Sequence, residues 1–588
     1  MSLIDRKVPT TLRQEPRVRR QNLQSSRIRE LKEARLLNRE TPADEPGKHF
    51  HIPTGEIPAM LHHQLLKSLR HAGRRLKMAD SLGTRLNGRQ LLTRILAARL
   101  VLEKTLDPSE KRVGILLPPT AGAAIVNAAL ALMGRVAVNL NYTSSQSILE
   151  TCIERAGIRH VISSPTFLSR IELDLGDFLL DAADLRKQLT TLQKLQAWSE
   201  ATLMPLSMLE RHLGLKNIQP DDVLTIIFTS GSTGDPKGVV LSIENVGSNV
   251  RAISDLLHLS PADTALGVLP FFHSYGYTTA LWVPLTLEPA VVYHTNPLDA
   301  RVVGTLARDY NATVLMATPT FLRTYIRRTE SDDLSTLEVV FGAAEKLTTD
   351  VTDAFEEKFG VRPREAYGAT ELSPLVSVNV PPSRHVPGRA VDAREGTVGK
   401  PIPGCTAKIT DREGLQELPV GEEGLLWICG PNVMQGYLDR DDLTEQVICE
   451  GWYRTGDIAK LDTDGFITIT GRQSRFSKIG GEMVPHMLIE EAVNTILGAT
   501  DGELLAVVTA VPHVTKGERL VVLTTKTSAD TQNICRELAQ SGLPNLWIPS
   551  SDSFAEIEEV PVLGSGKLDL RKINDIAKGY FCDNSDTE

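Results

Sequence analysis

The sequence predicts a layered α/β fold, followed by a small β-rich unit and a compact α+β tail. From about residue 60 onward, short apolar runs typical of strands alternate with helical stretches, the pattern of parallel sheets covered by helices. Near residue 395 this pattern gives way to short strands punctuated by glycine and proline. The 588 residues are too many for one hydrophobic core, so we expect about three or four domains.

The strands and helices of the α/β part are predicted from apolar runs and from helical periodicity. Residues 113–117, 313–317 and 339–341 are short and apolar, as expected of strands that are buried on both faces. Residues 301–310 and 349–359 have helical patterns. Strands and helices therefore alternate along this part of the chain.

The most apolar stretch is predicted to be a buried helix. Residues 121–132 are too few to span a bilayer, and Gly134 and Arg135 follow them. We expect this helix to lead into a strand at 136–138. No transmembrane helix is expected.

The β-rich unit and the tail are predicted from punctuation by glycine and from apolar runs. Strands are expected at 424–429 and 465–470 in the β-rich unit. In the tail, a helix is expected near 487–496 and strands at 504–511 and 520–525.

Charge and cysteine usage restrict the class of protein. The net charge is −9 and the pI is near 5.9, which argues against a nucleic-acid binder. The six cysteines form no CxxC pair, so we expect reduced, structural thiols and a cytoplasmic protein. The start of the chain lacks the apolar region of a secretory signal.

Residues 1–50 are predicted to be a charged, disordered arm. They carry twelve Lys/Arg against seven Asp/Glu and few large apolar residues, too few to offset the entropy of ordering. Residues 27–39 have the pattern of a short solvated helix. One interpretation is a solvated arm, and the other is an arm that contacts anionic lipid, at the inner membrane surface, or an acidic partner.

The most informative stretch is residues 229–238, which read Thr-Ser-Gly-Ser-Thr-Gly-Asp-Pro-Lys-Gly. They follow the apolar run 223–228, so a buried strand leads directly into a loop of hydroxyls and glycines. Such a loop can turn successive backbone N–H groups toward one anion, and Lys237 adds a positive charge. Because Pro236 precedes the lysine and Gly238 follows it, this is not the common nucleotide loop.

This loop resembles the phosphate loop of the adenylate-forming superfamily of acyl-CoA synthetases, luciferases and peptide-synthetase adenylation domains. Four further stretches resemble motifs of the same family in the same order, over roughly residues 60 to 575. Residues 366–371 resemble its adenine and magnesium segment, and residues 453–457 resemble its ribose segment. Residues 471–482 resemble its hinge region, and residues 561–567 resemble its catalytic-lysine loop.

The resemblance implies roles for individual residues. ATP and Mg²⁺ are the implied cofactors, and Thr233 and Glu371 are the implied metal ligands. Tyr367 would stack on adenine, Asp457 would accept hydrogen bonds from the ribose hydroxyls, and Arg472 would reach the same sugar. The full set of implied nucleotide-binding residues is Thr229, Ser230, Gly231, Ser232, Thr233, Gly234, Lys237, Gly342, Ala343, Ala366, Tyr367, Gly368, Thr370, Asp457 and Arg472.

The resemblance also implies a large N-terminal domain and a small mobile C-terminal domain. We expect the AMP-binding domain at 60–474, with its β-rich subdomain at about 395–474, the C-terminal domain at 475–575 and a tail at 576–588. Lys567 would be the catalytic lysine and Arg475 the hinge. The arginine and the residues after it look most like the synthetase half of bacterial acyl-acyl-carrier-protein synthetase/2-acylglycerophosphoethanolamine acyltransferases. We expect no acyltransferase half, because only about 60 residues precede the synthetase-like region.

The expected substrate is a fatty acid. Residues 271–274 read Phe-Phe-His-Ser, and Phe272 stands where amino-acid-activating relatives place an aspartate, so a substrate ammonium group would lack its counter-charge. His273 resembles the gate residue beside the substrate carboxylate. Tyr275 and Tyr277 could border an acyl tunnel, whereas Trp282 is expected in the core.

The sequence therefore predicts an acid-thiol ligase. Its thiol acceptor would be coenzyme A or the phosphopantetheine of acyl-carrier protein, which makes it a long-chain fatty acid-CoA ligase or a fatty acid-acyl-carrier-protein ligase. A ligase for an aryl or polyketide-type acid and a non-catalytic nucleotide-binding scaffold are the alternatives. The match of Asp80-Ser81-Leu82 to a carrier-protein motif is rejected, because the glycines that normally precede it are missing.

Overall fold

The computed structural model describes most of the chain after residue 60. The described residues lie within one compact unit, Pro58–Glu588. The predicted arm at 1–50 and its helix at 27–39 lie outside them. The described ranges are 61–230, 236–384, 392–414, 416–479, 482–499, 504–513, 517–526, 530–562 and 568–582.

The strands of the described residues are numbered in chain order. They are β1 Leu76–Asp80, β2 Arg85–Asn87, β3 Arg112–Ile115, β4 Val136–Asn139, β5 Val161–Ser163, β6 Leu179–Asp181, β7 Val223–Ser230, β8 Pro236–Ser242, β9 Thr264–Gly267, β10 Ala290–Tyr293, β11 Val314–Ala317, β12 Val339–Gly342, β13 Arg364–Gly368, β14 Leu375–Val378, β15 Lys400–Pro401, β16 Thr406–Thr410, β17 Gly424–Cys429, β18 Gly436–Tyr437, β19 Ile448–Cys449, β20 Trp452–Leu461, β21 Ile467–Arg472, β22 Phe476–Ile479, β23 Glu482–Pro485, β24 Ala506–His513, β25 Gly517–Thr524 and β26 Phe554–Glu556.

The α-helices are numbered in the same way, and a π-helix, Gly276–Trp282, precedes α10. They are α1 Leu61–Ala72, α2 Gly88–Thr105, α3 Ala121–Leu132, α4 Gln146–Arg155, α5 Pro165–Ile171, α6 Ala182–Lys187, α7 Thr191–Thr202, α8 Leu206–His212, α9 Ile243–Leu257, α10 Val283–Thr286, α11 Ala300–Asp309, α12 Pro319–Arg328, α13 Thr349–Phe359, α14 Asp441–Val447, α15 His486–Ile496, α16 Thr531–Gln540 and α17 Leu570–Phe581.

Two large sheets form the α/β part, as the sequence predicts. The nine-stranded sheet has the order β15-β14-β13-β12-β11-β9-β10-β1-β2, and the seven-stranded sheet has the order β18-β8-β7-β4-β3-β5-β6. Their inner pairs are parallel, such as β11 with β12 and β3 with β4. Parallel strands are expected here because their apolar residues are buried on both faces.

Both edges of the nine-stranded sheet and one edge of the seven-stranded sheet have antiparallel strands, whereas the other edge strand, β6, pairs parallel with β5. The prediction of parallel strands does not include these antiparallel pairs. In the nine-stranded sheet β2 pairs antiparallel with β1, and β14 pairs antiparallel with β13. In the seven-stranded sheet β8 returns antiparallel beside β7. These outer pairs need only short connections, unlike the crossovers between parallel strands.

The predicted α/β strands and helices are present with boundary shifts of a few residues. The apolar stretch 121–132 is helix α3, as predicted. Residues 301–310 become α11, Ala300–Asp309, because the Asp299 side chain accepts a hydrogen bond from the Val302 N–H and starts the helix. Trp282 is fully buried, as expected of a core residue.

The β-rich unit is a separate antiparallel sheet. Strands β16, β17, β20 and β19 pair in that order, and β21 pairs with β20. After residue 475, β22 pairs with β23, and β24, β25 and β26 form a three-stranded sheet. The hydrophobic clusters that pack on these last sheets contain residues from 479 onward. The domain boundary at 475 remains a prediction.

A buried ion network closes the end of the nine-stranded sheet where β9 and β12 begin. Arg384 is fully buried, and its Nη2 donates to Asp263 Oδ1 at 2.6 Å and to Glu338 Oε2 at 3.2 Å. Thr313 Oγ1 donates to the same Asp263 oxygen at 2.8 Å. Burial alone would raise the pKa of Asp263, but the guanidinium and these hydrogen bonds hold it below its usual value.

We expect Arg384→Met to destabilise the fold by about 3–5 kcal/mol at pH 7, because it leaves buried carboxylates without their guanidinium. The folded pKa of Asp263 is lowered, so its stabilising contribution is present above its unfolded pKa and is lost as the pH falls through the folded pKa. The difference between wild type and variant should therefore shrink toward about pH 3.5. Urea unfolding midpoints of wild type and variant, at pH 7 and at about pH 3.5, measure this difference in stability.

Arg394→Met is the matched control. Arg394 also pairs with two carboxylates, Asp462 and Asp464, but its side chain is 41% exposed. Such a surface arginine should contribute no more than about 1 kcal/mol. Equal losses in the two variants would contradict a special role for the buried network.

Candidate active site

The predicted adenine segments lie at one edge of the nine-stranded sheet. Strands β12 and β13 are parallel neighbours, so their carboxyl ends lie at the same edge; Gly342 ends β12 beside Glu365, and β13 continues three residues further to Gly368. Ligands of α/β sheets bind outside such ends. A side chain at Gly368 would put its Cβ 2.0 Å from the Pro374 carbonyl oxygen, and one at Gly342 would be 3.0 Å from the Leu347 side chain. Both glycines therefore keep this edge closely packed.

The residues after β12 hold an unusual backbone. Ala344 has φ of +74°, a conformation that costs a residue with a Cβ roughly 1–2 kcal/mol. Ala343, just before it, is buried and donates its N–H to the Ala317 carbonyl at 3.2 Å. Strain of this kind concentrates at functional sites, and it supports the prediction that this segment faces the nucleotide.

The loop lysine lies at the base of a β-hairpin. Thr229 and Lys237 are opposite each other in the antiparallel pair β7–β8. Ser230 ends β7, and residues 231–235 lie outside the described ranges, so the predicted roles of Gly231, Ser232, Thr233 and Gly234 remain predictions. The Lys237 ammonium lies 5.4 Å from the ring centroid of Tyr437, which is cation–π distance.

The same tyrosine holds the predicted magnesium ligand. Tyr437 donates its hydroxyl to Glu371 Oε1 at 2.8 Å, and the Met434 N–H donates to the Glu371 carbonyl at 2.8 Å. Burial and the Glu371 carboxylate raise the pKa of Tyr437, so its hydroxyl remains a proton donor at neutral pH. Thr370 accepts a 3.2 Å hydrogen bond from Ser274, beside the predicted gate residue His273.

Tyr367, Asp457 and Arg472 form a second linked group. The Tyr367 hydroxyl donates to Asp457 Oδ2 at 2.5 Å. Asp457 and Arg472 are register partners in β20–β21, and their side chains meet at 3.3 Å. Burial, followed by the Asp457 charge, holds the pKa of Tyr367 well above its usual value.

The exposed side of this group is formed by the arginine. The Arg472 side chain is 57% exposed while Asp457 is 12% exposed, so the guanidinium lies toward the open side of the pair. The role of Asp457 and Arg472 in binding ribose remains a prediction.

The residues of the predicted acid pocket are packed by aromatic rings. Phe272 is buried, and its ring meets Tyr142 edge-on at 4.8 Å and His273 at 4.6 Å. Tyr277 is fully buried, and burial raises the pKa of Tyr275. Tyr277 lies on the π-helix Gly276–Trp282, which follows Phe272, His273 and Tyr275 directly in the chain, and such helices are frequent at functional sites.

The apolar cavity beside the π-helix is small. Its volume is about 10 Å³, which is room for about one water molecule and not for an alkyl chain. An acyl chain would enter here only if side chains moved. The cavity is lined by Leu259, Ala265, Leu266, Leu269, Thr279, Ala280, Val283, Pro289, Val314 and Met316.

The described donor set fits Mg²⁺ that is held mainly by a nucleotide. Among the described residues, no group of three His, Cys, Asp or Glu side chains could hold a metal ion without other ligands. Mg²⁺ is usually bound by one or two carboxylates together with substrate phosphates and waters. Glu371, which accepts the hydrogen bond from Tyr437, would supply one such carboxylate.

The predicted hinge residue lies apart from this cluster. Arg475 follows β21, is buried, and donates to Glu490 Oε2 at 2.5 Å. Glu490, on α15, also accepts the Val508 N–H at 3.0 Å. Burial and the Arg475 charge lower the pKa of the neighbouring His486 to about 3. The predicted catalytic lysine, Lys567, lies outside the described ranges.

The structure thus brings most of the predicted residues together and adds another. Tyr437 was missed because no local motif marks it. Tyr437 is 66 residues from Glu371 in sequence, so only the fold reveals the contact. Those brought together at one edge are Thr229, Lys237, His273, Gly342, Ala343, Ala366, Tyr367, Gly368, Thr370, Glu371, Asp457 and Arg472.

Acyltransferases of the pattern considered above use the spacing H-x-x-x-x-D, which was not expected at any histidine of this chain. That expectation is wrong, because the spacing occurs at His258 and at His294, but both aspartates have structural roles. Asp263 belongs to the buried Arg384 network, and Asp299 caps helix α11. In the rejected carrier-protein match, the Asp80 carboxylate accepts the Leu82 and Thr84 N–H groups and so closes a turn.

The chain was compared with curated proteins. It is 29% identical over 382 residues to a long-chain-fatty-acid–CoA ligase of Yersinia pestis, covering 63% of this chain and 65% of that protein. It is 30% identical over 400 residues to a probable 4-coumarate–CoA ligase 1 of Dictyostelium discoideum, covering 64% of this chain and 70% of that protein. The chain thus spans slightly less than two thirds of the Yersinia relative.

Solved structures match a larger share of this chain than the curated proteins do. ATP-bound MatB of Rhodopseudomonas palustris covers 89% of this chain and 99% of its own, with a TM-score of 0.71 at 24% identity. The Bacillus subtilis o-succinylbenzoate CoA synthetase bound to its acyl-adenylate covers 87% and 97%, with a TM-score of 0.71 at 22% identity.

The family model of AMP-binding enzymes matches residues 67–438. That range contains the phosphate loop, the glycine-lined sheet edge and Glu371, which the geometry above joins into one site. The chain belongs to the AMP-binding enzyme family, within the adenylate-forming superfamily.

Proposed function

We propose that this protein activates a carboxylic acid with ATP and transfers the acyl group to a thiol. In the first step a carboxylate oxygen bonds to the α-phosphorus of ATP, and the bond to pyrophosphate breaks. In the second step a thiolate bonds to the acyl carbon, and AMP leaves. The observation that carries the proposal is the series of contacts from Lys237 through Tyr437 to Glu371, beside the Tyr367–Asp457 pair.

Each residue of the site would have a role set by its position. Lys237, at the base of the phosphate loop, would offer positive charge to the leaving phosphates. Asp457 and Arg472 would hold the ribose, and Tyr367 would lie against the adenine. Catalysis of this kind depends mainly on positioning and on electrostatic stabilisation of the phosphoryl charge. Mg²⁺ would supply part of that stabilisation, with Glu371 among its ligands.

The proposed acid is a fatty acid. Buried Phe272 offers no counter-charge to a substrate amino group, which argues against amino acids. The fatty-acid ligase of Yersinia pestis is among the similar proteins, and so is the probable coumarate ligase, which keeps an aryl acid as the alternative. The acceptor would be coenzyme A or the phosphopantetheine of acyl-carrier protein.

A non-catalytic scaffold is the alternative from another class. Such a protein would need no mobile lysine and no magnesium ligand. This chain retains Lys237, Glu371, Asp457, Arg472 and Lys567, and the described four lie in linked contacts at one sheet edge.

Pyrophosphate release with a panel of acids tests the proposal. We expect release with long-chain fatty acids and none with amino acids. Lys567→Ala should abolish release while ATP still binds, because the lysine would act only on the reacting phosphate and carboxylate. Turnover of aryl acids alone would support the alternative ligase, and failure with every acid would support the scaffold. Loss of ATP binding in the lysine variant would contradict the role of Lys567.

Tyr437→Phe tests whether Glu371 is a magnesium ligand. The variant removes the hydroxyl that orients this carboxylate, and loss of such an outer partner typically costs about 10–100-fold in metal affinity. The Mg²⁺ concentration for half-maximal pyrophosphate release should rise accordingly.

Tyr325→Phe is the control for this variant. Tyr325 is also fully buried, and its hydroxyl donates to the Pro297 carbonyl at 2.9 Å, outside the contacts that form the candidate site. Its magnesium dependence should match the wild type. An unchanged magnesium dependence of Tyr437→Phe would contradict the role of Glu371 as a magnesium ligand.

Arg475→Pro tests the hinge. Proline fixes φ, so rotation between the two half-reactions should be hindered, and thioester formation should slow at least about tenfold more than adenylation. Single-turnover measurements of each half-reaction separate them. Arg475→Leu is the control, since it also removes the guanidinium from Glu490 but leaves the backbone free. Equal slowing of both steps by proline would contradict a hinge at this residue.

A further inference from the structure

Helix α7 turns its large apolar side chains toward solvent. Leu192 is 75% exposed, Leu195 59% and Trp198 45%. They recur every three residues and therefore form one stripe. A helix on the surface of a globular protein normally buries such a stripe. The residues that α7 buries instead are small or polar: Gln193, Ala197, Glu200 and Ala201.

The inner face of α7 is fixed to the protein, so the orientation of the helix is determined. Gln193 donates its side-chain amide to the Leu100 carbonyl of α2 at 3.4 Å. Arg70 donates to the Glu200 carbonyl at 2.9 Å. The apolar stripe is therefore the outer face, opposite these contacts.

The exposed apolar surface continues beyond the helix. Leu203, directly after α7, is 67% exposed, and Met208, on α8, is 56% exposed. Five large apolar side chains thus lie open to solvent between residues 192 and 208. A concentration of this kind usually marks a surface that binds something.

Cations surround this surface. Lys194 and Trp198 are four residues apart on α7, and Arg211 is three residues beyond Met208 on α8, so each cation is a helical neighbour of an apolar side chain. All four side chains are exposed. Arg186 and Lys187, on the preceding α6, are exposed as well.

Each acidic side chain of α6, α7 and α8 contacts a basic side chain. Asp184 pairs with Lys187 at 2.9 Å, and Glu200 pairs with His212 at 3.3 Å. Glu210 pairs with His63. With the histidines neutral, α6, α7 and α8 carry four Lys/Arg against three Asp/Glu, a net charge of +1, and Arg186, Lys194 and Arg211 are exposed.

We propose that this surface, α7 with Leu203 and Met208, inserts into the interface of a lipid bilayer that contains anionic lipid. An amphipathic helix that presents Leu and Trp with Lys and Arg beside them binds in this way, and anionic headgroups complement the surplus positive charge. The interaction does not depend on catalysis. If the acid is a long-chain fatty acid, as proposed above, the surface would also hold the enzyme where such acids partition.

Co-sedimentation of the full chain with vesicles tests this. We expect binding to vesicles of phosphatidylglycerol and phosphatidylcholine, and weaker binding to phosphatidylcholine alone. The combined variant Leu192→Ser, Leu195→Ser and Trp198→Ser should bind at least about tenfold more weakly. Lys194→Gln with Arg211→Gln should weaken binding only to the anionic vesicles.

Leu82→Ser with Leu298→Ser and Val420→Ser is the matched control. These residues are 72%, 49% and 58% exposed and lie outside α7 and α8, so vesicle binding should be unchanged. Pyrophosphate release with a short, soluble acid should be unchanged in both triple variants. Normal release with lost vesicle binding separates this inference from the proposed ligase activity.

Trp198 gives a direct signal. Its fluorescence should shift to shorter wavelength with anionic vesicles and be quenched by brominated lipid, and Trp198→Phe should remove the shift. The proposal is overturned if wild type does not bind vesicles, if the stripe variant binds as well as wild type, or if both triple variants lose binding equally. It is also overturned if deletion of residues 1–50 abolishes binding, since the charged arm would then be the anchor.

Discussion

Two hydrogen bonds from tyrosine to carboxylate connect three sheets at the edge where the site lies. Tyr367 on β13 of the nine-stranded sheet donates to Asp457 on β20 of the five-stranded sheet. Tyr437 on β18 of the seven-stranded sheet donates to Glu371, just after β13. Hydrogen bonds to a charged acceptor are the stronger kind. The position of each carboxylate therefore depends on how these sheets pack, and the site cannot form from any one of them.

The neutrality of the tyrosines is part of this arrangement. Burial raises the pKa of Tyr367, Tyr437 and Tyr453, and the nearby carboxylates raise it further. Each hydroxyl thus remains protonated at neutral pH. A lysine in place of either tyrosine would neutralise the carboxylate that it held.

Local patterns predicted the parts of the fold and site that depend on neighbours in sequence. Apolar runs located the strands, because that signal lies within a few residues, whereas the phosphate site predicted after residues 223–228 remains a prediction. Tyr437 escaped prediction because its partner is 66 residues away. The antiparallel outer strands were not predicted, because an apolar run indicates a strand but not the direction of its partner. The stripe on α7 is periodic in sequence, but periodicity does not tell which face of a helix meets the core.

The predicted rotation of the C-terminal part is constrained by two ion pairs of different kinds. Arg475 and Glu490 are buried, with side chains 7% and 12% exposed, and separating them would leave charges in the interior at a cost of about 3–5 kcal/mol. Lys346, in the loop after β12, pairs with Glu491 of α15 at 2.9 Å, but both side chains are more than half exposed. Such an exposed pair contributes at most about 1 kcal/mol. A rotation that keeps the buried pair and breaks the exposed one is therefore far cheaper than the reverse. The Arg475 side chain would then move with α15, and the backbone change would fall on the φ of Arg475 and on the residues just before it.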